Sequence, residues 1–222
     1  MIARRAWTLA AGALGILSLM GAAWAQTVPP AATAPFDFYV MTLSWSPGFC
    51  DTGGAAKAPE QCAIGAGQGF VVHGLWPDNS RGPDPEDCDP NRDASLDDLQ
   101  GARGLYPALG LARYEYRKHG TCAGLGAADY FTTVRYVREQ LSVPDTLRAP
   151  RQQLRLSPDA IAGAFIDVNA NLTRDDMAVT CGHGELEDVR FCISKDLKDF
   201  VICPKVSGHT CHAQSIAVAP LR

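Results

Sequence analysis

Two short stretches of this chain carry side chains able to move protons. The first, Phe70-Val71-Val72-His73-Gly74-Leu75-Trp76-Pro77-Asp78-Asn79, is an apolar run of strand length with one histidine in its middle and a proline-ended turn at its close. A histidine so placed is either a core residue with both ring nitrogens satisfied or an imidazole aimed at a substrate. The second stretch is Tyr114-Glu115-Tyr116-Arg117-Lys118-His119-Gly120-Thr121-Cys122. On a helix, Glu115, Lys118 and His119 share one side, because residues three and four apart are neighbours. By itself that is equally a solvated helix end, with cations near a C-terminus that favours them. Taken together, the two stretches compose a reaction centre. One histidine on a strand and one on a helix end can face each other across a cleft, one as base and one as acid. Glu115 would orient them, and Lys118 would offer charge to a developing anion. Such a set suits a phosphodiester that brings its own nucleophile, a neighbouring hydroxyl, so the chemistry calls for no metal and no cofactor.

The elements that must position these groups are legible in outline. Phe36 to Trp45 has the aromatic and β-branched content of a central strand and stops at Ser46-Pro47-Gly48. Cys50 to Gly69 reads as a loop, and Asp78 to Asp93 as an acidic loop with three prolines. Ser95 caps a predicted helix through Leu96, Leu99 and Leu105. The spacing predicts a second helix over Leu111–His119, closed by Gly120 as its C-terminal cap. A third starts near Asp129 with Tyr130, Val134, Val137 and Leu141 on one face. Ser157-Pro158-Asp159 opens a fourth, with Ile161, Ala164, Phe165 and Val168 as its buried stripe. Strands return at Met177–Thr180, Val189–Ser194 and Phe200–Cys203. This order lacks regular strand–helix alternation, so the expected class is α+β: a central, mostly antiparallel sheet with helices packed against it.

The N-terminus reads as a secretory signal, with Arg4 and Arg5 ahead of an apolar run from Leu9 to Ala23 and an Ala23-Trp24-Ala25 cleavage site. The competing reading, a membrane anchor, meets a short run with no cationic stop after it. Cleavage would leave 26–35 as a disordered leader and 36–222 as a single domain. It would also take the formal charge from −4 to −6 by removing two arginines. An acidic chain is not one that coats nucleic acid by charge alone. All eight cysteines, Cys50, Cys62, Cys88, Cys122, Cys181, Cys192, Cys203 and Cys211, lie beyond the signal, which argues for four disulfides in an oxidising compartment. In a hairpin between the last two strands Cys192 and Cys203 would face each other, and Cys181 and Cys211 could close a second link outside them. Other connectivities stay open. So does zinc, since Cys181-Gly182-His183 and His209-Thr210-Cys211-His212 mix suitable ligand types, although no C-x-x-C pair occurs.

His73-Gly74-Leu75-Trp76-Pro77 and the segment from Glu115 to Cys122 resemble the two signature segments of the ribonuclease T-two family of secreted endoribonucleases, and the resemblance runs from about Phe36 to the C-terminus. It implies a disulfide-stabilised α+β fold and cleavage of single-stranded RNA through a 2′,3′-cyclic phosphate, with low base specificity. By this resemblance His119 is the general base and His73 the general acid, with Glu115 and Lys118 supporting the transition state. Trp76 and Asp78 stand where the family stacks on and hydrogen-bonds a base. The implied bridges are Cys50–Cys62, Cys88–Cys122, Cys181–Cys211 and Cys192–Cys203. The implied protein is a periplasmic or secreted monomer, free of the membrane once its signal is cleaved. One departure stands out. Many members carry a phosphate-binding histidine immediately before the glutamate, and here the residue is Tyr114. Its hydroxyl can donate a hydrogen bond but brings no positive charge, which predicts weaker phosphate affinity. His183, His209 and His212 match no catalytic position and read as surface or loop residues. The competing function is a non-catalytic binding or toxin-like module on the same fold, which would be expected to have lost one of the histidines.

Overall fold

The computed structural model describes residues 29–30 and 32–222, so the expected signal segment lies outside the described residues. Six strands form one sheet: β1 (Phe38–Trp45), β2 (Phe70–Asp78), β3 (Leu154–Leu156), β4 (Met177–Gly182), β5 (Glu185–Ser194) and β6 (Ile216–Val218). The order is β2-β1-β5-β6-β3, with β4 also paired to β5. Every pairing is antiparallel except a single parallel contact between β5 and β6. The helices are α1 (Ser46–Asp51), α2 (Leu109–Lys118), α3 (Ala127–Gln140), α4 (Asp145–Arg148), α5 (Pro158–Val168) and α6 (Pro204–Ser207). This is the expected α+β class. No described helix is long and apolar enough to cross a membrane.

Strand alternation divides the sheet into two unequal faces. Tyr39, Met41, Leu43 and Trp45 of β1, with Val189, Phe191 and Ile193 of β5, point into the large core, which α2, α3 and α5 close with Tyr116, Tyr130, Phe131, Val134, Ile161 and Phe165. The even-numbered residues face the other way. Phe38, Val40, Ala178 and Cys192 form a small second cluster with Cys203 and Val206, against which Trp76 packs. The catalytic candidates of the strands belong to this second, thinly covered face.

His73 reaches that face by a break in register. Thr42 pairs with Gly74 but Leu43 pairs with Val72, so His73 is an extra residue with no partner on β1. Such a bulge reverses the alternation of everything beyond it. Without it, the parity that buries Leu75 would turn His73 into the core and Val72 out of it; with it, Val72 and Leu75 are both core residues and His73 leaves with Trp76.

Several sequence expectations are corrected. The region after Ser95 forms only a 3₁₀ turn, Asp98–Ala102, because Gly101 and Gly104 interrupt it, the latter at φ +74°. Asp97, not Ser95, precedes that turn and makes no side-chain cap, although the Ser95 hydroxyl accepts from the Asp98 amide at 3.1 Å. Gly120 is not the left-handed cap of α2. The chain continues into a 3₁₀ turn, Gly120–Ala123, and Gly124 takes the left-handed position at φ +73°. Gly120 is needed for closeness instead, since a β-carbon there would collide with the Tyr116 ring. Val168 is exposed, and the buried residues of α5 are Pro158, Ile161, Ala162 and Phe165. The C-terminal hairpin is β4–β5, turning at His183 and Gly184, both at positive φ. Phe200–Cys203 contributes one bridge to Ile193 and one hydrogen bond from Val201 to Cys192, so Cys203 lies two residues beyond the position facing Cys192. The strands β3 and β6, three residues each, carry too little pattern to be read.

The four disulfides join Cys50 to Cys62, Cys88 to Cys122, Cys181 to Cys211 and Cys192 to Cys203, the pairs implied by the resemblance. Cys88–Cys122 ties the acidic loop to the turn after α2, and Cys192–Cys203 fastens α6 beside the second face. Both therefore hold walls of the site. The end of the stretch expected as a leader rests on the domain: Ala32 and Ala34 pack against the core, and the Ala34 carbonyl accepts from Lys195 Nζ at 2.6 Å.

Candidate active site

A cleft of about 400 Å³ opens between the second face of the sheet, the end of α2, the acidic loop and α6. It brings together all seven site residues singled out in the sequence, His73, Trp76, Asp78, Tyr114, Glu115, Lys118 and His119, and adds Asp84, Glu86, Arg190, Lys205 and His209. β2 is the edge strand and α2 packs on it, which sets the helix end beside the histidine bulge.

Glu115 lies at the centre and is 2 % exposed. Its Oε2 accepts from Trp76 Nε1 at 2.7 Å, while Oε1 stands 3.7 Å from His73 Nε2 and Oε2 stands 4.0 Å from His119 Nε2. The Trp76 ring sits 5.4 Å from the His73 ring and 5.2 Å from the His119 ring, centroid to centroid. Trp76 thus spaces the two imidazoles and fixes the carboxylate between them. The Arg190 guanidinium lies over the same indole at 5.7 Å. The tightness of this group explains Gly74. A β-carbon at position 74 would collide with Trp76 Nε1 and Glu115 Oε2, so the residue is small to admit the site's own side chains. Gly74→Ala should therefore displace both groups and lower kcat by roughly tenfold, since misplacing groups at the reacting centre costs rate steeply. Steady-state kinetics on a dinucleoside phosphate checks this; an unaltered kcat would mean that the indole and carboxylate can shift at no cost.

The two imidazoles are tuned in opposite directions. Burial lowers the proton affinity of His119, and Lys118 and His73 add repulsion, which brings its pKa down to about 4. Burial acts the same way on His73, but the Asp188 carboxylate close by and the charge of Glu115 outweigh it and raise the pKa above the ordinary 6.5. Burial likewise raises Glu115, against the pull of His73, Trp76 and Lys118. Over a broad interval the site therefore holds one neutral and one protonated imidazole, the arrangement that general acid–base catalysis needs.

Cations ring the cleft. Lys118 Nζ faces Glu86 at 3.5 Å. Lys205 on α6 bridges Asp78, at 3.3 Å, and Asp84. Of these two carboxyls Asp84 keeps its charge, held down by its bonds to Asp78 and Lys205 despite burial. Asp78 is pushed up to about 7 by burial and by Asp84, with Lys205 opposing. Tyr114 is half-exposed on the rim. His209, read from the sequence as a surface or loop residue, is exposed but lines this cleft, because the Cys192–Cys203 and Cys181–Cys211 bridges draw its segment to the sheet. The second of those bridges also takes up Cys181 and Cys211, two of the residues that the zinc reading offered as ligands beside His183, His209 and His212. Among the described residues no three His, Cys, Asp or Glu side chains gather as a metal site.

Comparison with known proteins decides the family. The model of the Ribonuclease T2 family matches residues 36–203. The chain belongs to that family. This T2 ribonuclease is 31 % identical over 202 residues to a ribonuclease of Aeromonas hydrophila, across 85 % of its own length and 86 % of the relative's. It is 27 % identical to ribonuclease DdI of Dictyostelium discoideum, over 79 % and 82 % of the two chains. Its fold matches that of RNase NT in complex with 5′-AMP at a TM-score of 0.64 and 20 % identity, covering 84 % of this chain and all of that one. The self-incompatibility-associated SF11-RNase of Nicotiana alata matches at 0.64 and 21 %, covering 85 % and 100 %.

Besides Asp84, Glu86, Lys205 and His209, polar residues on the central strands of this ribonuclease escaped the sequence reading: Ser44 on β1, and Asp188 and Arg190 on β5. They share the second face because Ser44 pairs with Asp188 and Thr42 with Arg190. Alternation along β1 was a usable signal for Ser44. For Asp188 it was not, because a second register shift, opposite Val179 to Cys181, falls beside it.

Proposed function

We propose that this ribonuclease is a metal-independent endoribonuclease that cleaves single-stranded RNA by transfer of the phosphodiester to the ribose 2′-oxygen. His119, neutral above about pH 4, accepts the 2′-hydroxyl proton. The 2′-oxygen attacks phosphorus, the bond from phosphorus to the 5′-oxygen breaks, and protonated His73 gives its proton to that leaving oxygen. The products are a 2′,3′-cyclic phosphate and a free 5′-hydroxyl. In the second step the roles exchange: His73 takes a proton from water, water opens the ring, and His119 returns a proton to the 2′-oxygen, leaving a 3′-phosphate. Lys118, which pairs with Glu86, supplies positive charge to the phosphorane-like transition state. Glu115 keeps His73 charged and both rings oriented. Trp76 and Asp78 border the base, Tyr114 the phosphate. The chain acts as a monomer in the periplasm or outside the cell, after loss of its signal.

The observation that carries this reading is the placement of two imidazoles on either side of Glu115 and Trp76, in surroundings that push their proton affinities apart. Low base specificity fits a site whose contacts are chiefly rings and charges, since every base has a face to stack. The test is digestion of an RNA oligonucleotide and its 2′-deoxy analogue by the mature protein with a chelator present. The RNA should yield cyclic and then 3′-phosphate ends, and the deoxy strand should remain whole. Cleavage of the deoxy strand, or 5′-phosphate products, would sink the mechanism.

A further inference from the structure

We infer that Asp188, acting through the Ser44 hydroxyl, is the positioning group that holds His73 in its proton-donating tautomer and orientation. The inference rests on the reading of His73 as the acid of the first step. Its foundation is a chain of hydrogen bonds beneath the imidazole. Ser44 Oγ donates to Asp188 Oδ1 at 2.5 Å and stands 3.2 Å from His73 Nδ1. The hydroxyl hydrogen is committed to the carboxylate, so the serine oxygen is left to accept, and Nδ1 must carry the hydrogen. The order is Nδ1–H to Ser44 and Ser44 to Asp188. The carboxylate itself stands 3.9 Å from Nδ1, too far for a direct bond but near enough for its charge to act. With Nδ1 so occupied, Nε2 is the nitrogen turned to Glu115 and the cleft.

The burial of Asp188 makes this more than a local contact. It is 5 % exposed, and a carboxylate so far from water is costly unless paired. Arg190 pairs with its other oxygen at 3.3 Å, and the Thr180 hydroxyl accepts from its backbone amide at 3.1 Å. Neither partner occupies Oδ1, which is given to Ser44. The ladder delivers the pair, since Ser44 and Asp188 face each other across β1 and β5 while the bulge in β2 turns His73 toward them. The groups that face His73 from every side are then Asp188 and Arg190 on β5, Ser44 on β1, and Glu115 and His119 on α2. Of the two carboxylates, Glu115 is shared with His119 and Trp76, while Asp188 answers to His73 and Arg190.

The experiment is a titration read in two independent ways. The five histidines are followed by NMR, with His73 assigned by loss of its signal in His73→Gln, and kcat/KM is measured across the same pH range. Asp188→Asn should lower the His73 midpoint by about one pH unit, the lower end of what one nearby opposite charge contributes. The high-pH limb of kcat/KM should move down by the same amount, with activity near pH 5 much less affected, because His73 is protonated there in either protein. Ser44→Ala removes no charge and should leave the fold intact. It should free the ring to take the other tautomer, seen in the ring nitrogen shifts, with a smaller fall of the midpoint. If Asp188→Asn leaves the His73 midpoint in place and Ser44→Ala leaves the tautomer unchanged, the inference is overturned. A limb that moves without the midpoint also overturns it, because the limb then belongs to another group. A midpoint that moves without the limb upholds it and instead removes His73 from the role of acid.

Discussion

Alanine in place of His73 should lower kcat/KM on single-stranded RNA by about 10²–10⁴-fold, and alanine in place of His119 by a similar factor, the usual contribution of one positioned acid or base. The geometry says why neither can stand in for the other. Glu115 and the Trp76 ring separate them, so a single imidazole cannot reach both the 2′-hydroxyl and the 5′-oxygen. The double variant should be only slightly worse than either single one, because the groups act as a unit in one transition state. Folding should survive both changes. His73 is a bulge residue without a ladder partner, and the backbone amide of His119 keeps its bond to the Glu115 carbonyl at 2.9 Å. Thermal denaturation checks that separately from activity. His183→Ala, at the remote β4–β5 turn, should leave kcat/KM unaltered. Retention of activity within tenfold of the parent by His73→Ala would remove it from the reaction.

What the sequence revealed, and what it hid, divides along physical lines. The grouping at the helix end was legible because the spacing of Glu115, Lys118 and His119 maps onto one side of α2 whatever its exact bounds, and the helix does run to Lys118 with His119 as its cap. The strand around His73 was legible from its apolar run. Its bulge was not, since one extra residue leaves no trace in composition, yet that residue decides whether His73 faces the core or the cleft. Nor does composition show that the space kept by Gly74 is filled by Trp76 and Glu115. The sequence-based hairpin argument found the right cysteine pair with the wrong facing residues, because a disulfide tolerates an offset that a ladder does not. Asp188 and Arg190 were out of reach for a different cause. Their meaning comes from cross-strand neighbours more than a hundred residues away in the chain, Ser44 and Trp76.

The pH dependence of kcat/KM should be a broad bell whose limbs belong to the free enzyme's base and acid. The sign follows from the two roles. His119 must be neutral to accept the first proton, and its lowered pKa means that the active form is lost only as the pH falls through about 4. His73 must be protonated, and its raised pKa means that the active form persists past 6.5 and is lost as the pH climbs through that elevated value. Activity should therefore be near its maximum from about pH 5 to 6.5 and fall about tenfold per unit beyond either limb, as for any single ionisation. Had the roles been exchanged, the required pair, His73 neutral with His119 protonated, would be a minor species at every pH. The same bell would appear, but its height would be scaled down by the separation of the two pKa values, and kcat/KM on RNA would be low even at its optimum. Height separates these cases, and the limbs test a different point, namely which histidine titrates where. The low-pH limb should shift in variants that change the surroundings of His119, such as Lys118→Ala, which removes a repelling cation and should raise that limb. The high-pH limb should stay where it was. If Lys118→Ala instead moves the high-pH limb, that limb belongs to His119, and the opposed tuning of the two histidines is wrong.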